Sequence, residues 1–419
     1  MKEGSPPLLA TAIWMMATRV GPLLLGWIAV ATLSAQDYGI FVLAFAWINA
    51  TVGICLGLFP PLVARANADL GPGSDAIARM IHTGVPIVAG LALIIAALVL
   101  VRDFGSQSGF QLGLATGWAS LAVGCSSLLA IVSWSLGHAK PLVGLALVES
   151  VMQATFLGVC VKLSWDISLF LLGFGLISAA ISYGFLLTLA QGNRIDLSAL
   201  FRTEQTAKTA SLSAMLGPSL VNTLAMSVTP ALAITIAAAR GPHLSMDVVF
   251  GLAMLWLSAG LFPLQVLTLN QSQKLVQLRT ASQAAKAVVL NTAEWALLAL
   301  ATLWGLLLVI LILVIGPGLI ELAKTKFGPL ATYLGYLAWI ALGWACLSAV
   351  GPVLQAQHRF QVWTAINLAG CIALLFYAAF GALSPAILLI GTSISVMIRC
   401  VCAAASLSTK VKRNSQAES

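Results

Sequence analysis

The chain has 419 residues, of which 60% are hydrophobic and only 8% are Asp, Glu, Lys or Arg, and its mean hydropathy is +1.00. Soluble domains carry roughly 25% charged residues, so this composition excludes a soluble enzyme or binding module and describes a polytopic membrane protein. The net charge of +8 does not call for nucleic acid, because the basic residues are scattered among short connections and form no stripe.

Taken in order, the segment Met1 to Pro7 leads directly into an apolar run too long for a signal-peptide core, so no cleaved leader is expected. Runs long enough to span a bilayer, about 20 residues each, fall near 8–32, 38–63, 80–101, 111–136, 142–163, 167–190, 210–239, 246–271, 287–315, 331–356, 362–380 and 385–407. The expected fold is all-α, with twelve transmembrane helices. The last two are divided at Ser384-Pro385.

An even number of spans puts both termini on one side. The tails and even-numbered connections hold fourteen Lys and Arg residues and the odd-numbered ones five. The positive-inside rule then makes both termini cytoplasmic. No connection is long enough to fold as a soluble domain. The longest, 191–209, divides the chain into two halves of six helices, 1–195 and 196–419. A weak internal repeat accompanies this division: Gly57-Leu58-Phe59-Pro60 recurs as Gly260-Leu261-Phe262-Pro263, a shift of 203 residues.

Charges inside the spans are the candidate functional residues, because each is costly there and must face protein, water or a ligand. Arg19 lies twelve residues past Pro7, about 18 Å along a helix and so near the middle of a slab roughly 30 Å thick. Gly21 and Pro22 follow it and mark a kink. Its guanidinium has two readings: a fork for phosphate oxygens, or an ion pair with Glu149 or Glu294 that locks the bundle. Arg399 is the other deep cation, read either as a substrate ligand or as a side chain that snorkels toward the surface beside Lys410.

Glu149 stands nine residues after Lys140, and Glu294 eight after Lys286, each about 12 to 14 Å from its helix end. They are candidate sites for a coupling proton or cation, or protonated acids that bond neighbouring helices. Gln153 shares a helical face with Glu149. The seven cysteines show no CxxC spacing and read as small core residues, and the four histidines show no metal spacing. No metal or other cofactor is expected.

Arg19-Val20-Gly21, then Leu33-Ser34-Ala35-Gln36-Asp37-Tyr38-Gly39-Ile40-Phe41, then an apolar helix ending in Val63-Ala64-Arg65, resembles the start of Wzx-type O-antigen and exopolysaccharide flippases. These belong to the multidrug/oligosaccharidyl-lipid/polysaccharide (MOP) exporter superfamily. The resemblance implies two six-helix bundles around a central cavity. It implies alternating-access movement of undecaprenyl-diphosphate-linked oligosaccharide from the cytoplasmic to the periplasmic leaflet of a bacterial inner membrane, for surface polysaccharide synthesis. The family's helix 1 arginine maps onto Arg19. The implied partners are the lipid-linked oligosaccharide, membrane lipids, and a polysaccharide polymerase with its co-polymerase. This sequence departs from the family in having few deep cations, Arg399 being the one besides Arg19.

Two other classes stand beside this reading. A cation-coupled multidrug-type antiporter of the same superfamily would share the architecture. A membrane polymerase or glycosyltransferase acting on polyprenyl-linked sugars would need a catalytic group on an extended loop, which the short odd-numbered connections disfavour.

Overall fold

A computed structural model describes residues 24–70, 74–102, 107–135, 139–191, 212–240, 244–281, 290–323, 328–357 and 359–408. Regular structure among these residues is helical throughout. The order is α1 (24–32), α2 (Ala35–Leu70), α3 (Ser74–Arg102), α4 (Gln107–Ser135), α5 (Ala139–Lys162) and α6 (Ile167–Gln191). It continues with α7 (Leu212–Arg240), α8 (Leu244–Ala281), α9 (from Thr292), α10 (Leu334–Ala356), α11 (Phe360–Phe380) and α12 (Ile387–Ser408). Among the described residues nine helices are long and apolar enough to cross a membrane, so the protein is multi-pass.

The chain forms two compact units, Met1–Ala231 and Leu232–Ser419, and the division falls inside α7, one residue past Pro230. The boundary at 195/196 expected from the sequence lies outside the described residues. The expected break at Ser384-Pro385 corresponds to the separation of α11 from α12, since Gly381 ends one helix and Ile387 opens the next. Helix α9 begins at Thr292 rather than 287.

In the first unit α4 packs against α2, α3 and α6. Small residues allow this: Ala115, Thr116, Ala119 and Ser120 are fully buried, and a Cβ at Gly117 would stand 2.7 Å from Ala96 Cβ. The Leu33-to-Gly39 element starts α2. The Ser34 hydroxyl accepts the Asp37 backbone N–H at 3.1 Å and donates to Asp37 Oδ2 at 2.6 Å, an N-cap of the kind that satisfies orphan donors of a first turn. Tyr38 then turns inward and heads a row of rings, Phe41, Phe45, Phe170 and Phe174, that joins α2 to α6. Helices α5 and α6 meet at a tight turn in which Ser164 takes a φ of 53° and Trp165 N–H reaches Cys160 O at 2.9 Å.

In the second unit α10 is the central helix, with α8, α9 and α12 against it. Helix α9 runs Thr292–Ile310, widens into a π turn at Leu311–Ile315 and ends as Gly316–Ala323. Pro317 supplies the reason, since it lacks an N–H and its ring crowds the carbonyl four residues earlier, a conflict that a wider turn relieves.

The two units repeat one pairing scheme. Helices α2 with α3, α2 with α4, α3 with α4, α4 with α6 and α5 with α6 correspond to α8 with α9, α8 with α10, α9 with α10, α10 with α12 and α11 with α12. A shift of 218 residues carries Ser74, which opens α3, onto Thr292, which opens α9, and carries Lys162, which ends α5, onto Phe380, which ends α11. It also carries the contact of Phe156 with Gly173 onto that of Leu374 with Gly391. Neither shift brings the start of α2 onto that of α8: the shift of 203 moves Ala35 to position 238, six residues short of Leu244, and the shift of 218 moves it to 253, nine past. The repeat is therefore carried by helix order and pairings, not by one constant shift along the chain.

Candidate functional site

Arg19, the sequence-predicted ligand in the first span, lies outside the described residues. Two polar loci remain, one inside each unit.

The first is between α5 and α6. Ser178 of α6 donates its hydroxyl hydrogen to Glu149 Oε1 at 2.5 Å, and Gln153 Nε2 donates to the same oxygen at 3.1 Å and to Ser178 Oγ at 3.0 Å. Ser178 is fully buried and Gln153 nearly so. Both bonds converge on Oε1 and leave Oε2 outside the network. Neutral donors thus fix one oxygen of a membrane carboxyl while the other stays available for a proton or a cation. The shared face of Glu149 and Gln153 was legible from their spacing; Ser178 was not, since nothing in an apolar helix distinguishes one serine from its neighbours.

The second locus is between α11 and α12. Arg399 is the thirteenth of the 22 residues of α12, and it is only 6% exposed. This overturns the snorkelling reading: the side chain crosses onto α11 instead of running to a surface. Nη2 donates to Cys371 Sγ at 3.2 Å, while Nε is buried without a partner. Gly370 makes the crossing possible, because a Cβ there would collide with the Arg399 stem. Among the described residues no carboxylate meets this guanidinium. A cation in a membrane helix costs about 2.5 to 3.5 kcal/mol on insertion scales, and a thiol compensates that cost weakly. The locus is cationic and under-satisfied.

Glu294 belongs to neither locus. It is fully buried, but it stands in the first turn of α9, not a third of the way into a helix. Its Oε2 accepts the Asn291 backbone N–H at 3.0 Å while Asn291 Oδ1 accepts the Glu294 N–H at 2.8 Å, a reciprocal cap. The cap gives this carboxyl a structural task, and its expected coupling role becomes a matter for mutation.

Two cations counted only toward topology have structural tasks. Arg240, the last residue of α7, donates through Nη1 to Ala378 O and through Nη2 to Gly381 O, both at 2.9 Å, and so closes the carbonyl end of α11. Arg359 does the same for α12, through Nη1 to Ser406 O at 3.0 Å. Among the described residues no group of three or more His, Cys, Asp or Glu could hold a metal.

No family model matches the chain, and no curated protein matches it in sequence. Solved structures match it over almost its whole length. An inward-facing multidrug resistance MATE family transporter of the MOP superfamily is 13% identical, with 99% of this chain and 100% of that one covered and a TM-score of 0.69. An outward-facing one is 16% identical, with 98% and 95% covered and a TM-score of 0.64. A MOP superfamily transporter from Pyrococcus furiosus, described as having a binding pocket of reverse polarity, is 14% identical, with 96% and 94% covered and a TM-score of 0.63. The fold is that of the MOP superfamily transporters. At these identities the likeness concerns architecture alone.

Proposed function

We propose that this protein is an alternating-access flippase that carries an undecaprenyl-diphosphate-linked oligosaccharide from the cytoplasmic to the periplasmic leaflet for surface polysaccharide synthesis. The observation that carries the reading is Arg399, a guanidinium held inside membrane helices with a thiol for company and no carboxylate among the described residues. A lipid diphosphate bears about two negative charges and a large glycan that cannot cross hydrocarbon, whereas its polyprenyl tail can stay in lipid. Such a cargo suits a buried cation, because the guanidinium fork matches phosphate oxygens and the anion offsets the charge. Arg399 holds the diphosphate, and Glu149 links movement to a proton or cation. Both termini are cytoplasmic, and a polymerase with its co-polymerase receives the product.

The fold shared with transporters named for multidrug resistance favours a second reading, a cation-coupled antiporter of cationic drugs, for which Glu149 would serve as the ligand. A cationic drug gains nothing from Arg399. Reconstituted vesicles separate the two. Transfer of a labelled polyprenyl-diphosphate sugar across the bilayer supports the flippase, and drug exchange without such transfer overturns it.

A further inference from the structure

Helix α8 runs from Leu244 to Ala281 with Pro263 inside it. A proline within a helix cannot donate to the carbonyl four residues earlier, here that of Ala259, and its ring pushes that turn of the chain open. In α9 the same conflict at Pro317 is met within the helix, by the wide turn at Leu311–Ile315. Helix α8 stays α-helical through its proline, and a donor comes from outside: Trp304 Nε1 of α9 donates to Gly260 O at 2.9 Å. Gly260 lets α9 come this near, since a Cβ there would stand 2.9 Å from Leu308 Cδ2. Trp304 and Leu308 are four residues apart and share a helical face, so α9 sets an indole and a leucine on one turn of α8. The Gly260-Leu261-Phe262-Pro263 motif thus combines a break in the ladder with a close approach beside it.

We infer that Gly260–Pro263 is a flexion point of α8 and that the Trp304 indole is the latch that holds it in the observed conformation. An indole N–H has one hydrogen to give and accepts none, so this contact is made or broken as a unit. A neutral hydrogen bond shifts an equilibrium by roughly two- to ten-fold, enough to bias a helix without locking it. Oε1 of Gln265, two residues past the proline, is buried without a partner. The observed conformation therefore leaves an acceptor unmet beside the break, a cost that a second conformation of α8 can relieve. Trp304 is a positioning residue, acting through α8. The inference goes beyond the flippase reading and does not depend on it, because the flexion belongs to α8 whatever the cargo.

The test is amide hydrogen exchange of the purified full chain in lipid nanodiscs, read by mass spectrometry over residues 261–268. Trp304→Phe keeps a ring and removes the N–H. It is expected to raise exchange in that segment by roughly two- to ten-fold while leaving α12 unchanged. Pro263→Ala restores the missing backbone bond, so it is expected to slow exchange there and to make the segment insensitive to Trp304→Phe. Unchanged exchange in Trp304→Phe overturns the latch. An equal rise with and without Pro263 overturns its link to the proline, and a rise spread evenly over the helices of the second unit shows that Trp304 only supports packing. Transfer of a lipid-linked sugar in vesicles decides the cargo separately, and its failure leaves these outcomes as they stand.

Discussion

Ser178 and Glu149 face each other across α6 and α5, with the serine hydroxyl donating to Glu149 Oε1 at 2.5 Å. A carboxyl held in this way by a hydroxyl and an amide has one defined orientation, and the oxygen outside the network is where a proton or cation arrives. Glu149→Gln removes the titrating group and keeps the shape. Transport by this variant should lose its dependence on pH or on the coupling cation, and Ser178→Ala should weaken that dependence less. Rates measured in vesicles across a pH series check this, and an unchanged profile in Glu149→Gln removes Glu149 from coupling.

Glu294 gives the contrasting case. Its reciprocal bonds with Asn291 close the first turn of α9, and loss of such a cap costs about 0.5 to 2 kcal/mol. Asn291→Ala and Glu294→Ala should therefore lower the unfolding midpoint by similar amounts. Glu294→Gln, which can still accept the backbone N–H, should be nearly neutral. If Glu294→Gln instead alters ion dependence while Asn291→Ala does not, Glu294 is a coupling acid and the cap is secondary.

Gly370 and Arg399 should behave as one unit. Gly370→Ala puts a methyl where the arginine stem lies, so it should reduce transport strongly in the presence of Arg399. In an Arg399→Ala background the same change should add little further destabilisation. The interaction term from the four-member cycle is expected to be about 0.5 to 3 kcal/mol in stability. Additive effects would show that the guanidinium does not cross onto α11.

Arg240 predicts a purely structural phenotype. Its two charge-assisted bonds close the end of α11, and each such bond contributes about 1.5 to 3 kcal/mol when well desolvated, less here because Arg240 is half-buried. Arg240→Ala should lower the unfolding midpoint by several degrees. Arg240→Lys, a point charge that cannot reach both carbonyls at once, should recover only part of the loss. Full stability of Arg240→Ala would refute the cap.

The helices were legible in the sequence because hydrocarbon demands long apolar runs, and that demand is nearly independent of tertiary context. Their ends were less so. The start of α9 was placed five residues early, because Ala287 to Leu290 are as apolar as the helix itself, and only the Asn291 cap marks where it begins. Position along the chain singled out Arg399 as a candidate, yet its direction depends on Gly370, 29 residues away on another helix, and spacing carries no trace of that. The repeat was inferred from a four-residue match and from the helix junctions that the same shift of 203 aligns. The structure shows the repeat in helix order and packing partners, which single-residue matches at this divergence do not preserve. Arg240 and Arg359 were counted as loop charges. Their tasks became visible only with the carbonyls they close.

The most direct measurement is transfer of a fluorescent polyprenyl-diphosphate oligosaccharide between leaflets of vesicles containing the purified protein, parent against Arg399→Gln, with both shown to be inserted and folded. The expected result is transfer by the parent and a loss of at least ten-fold in the variant. Equal transfer by the two would contradict the claim that this buried cation holds the anionic cargo.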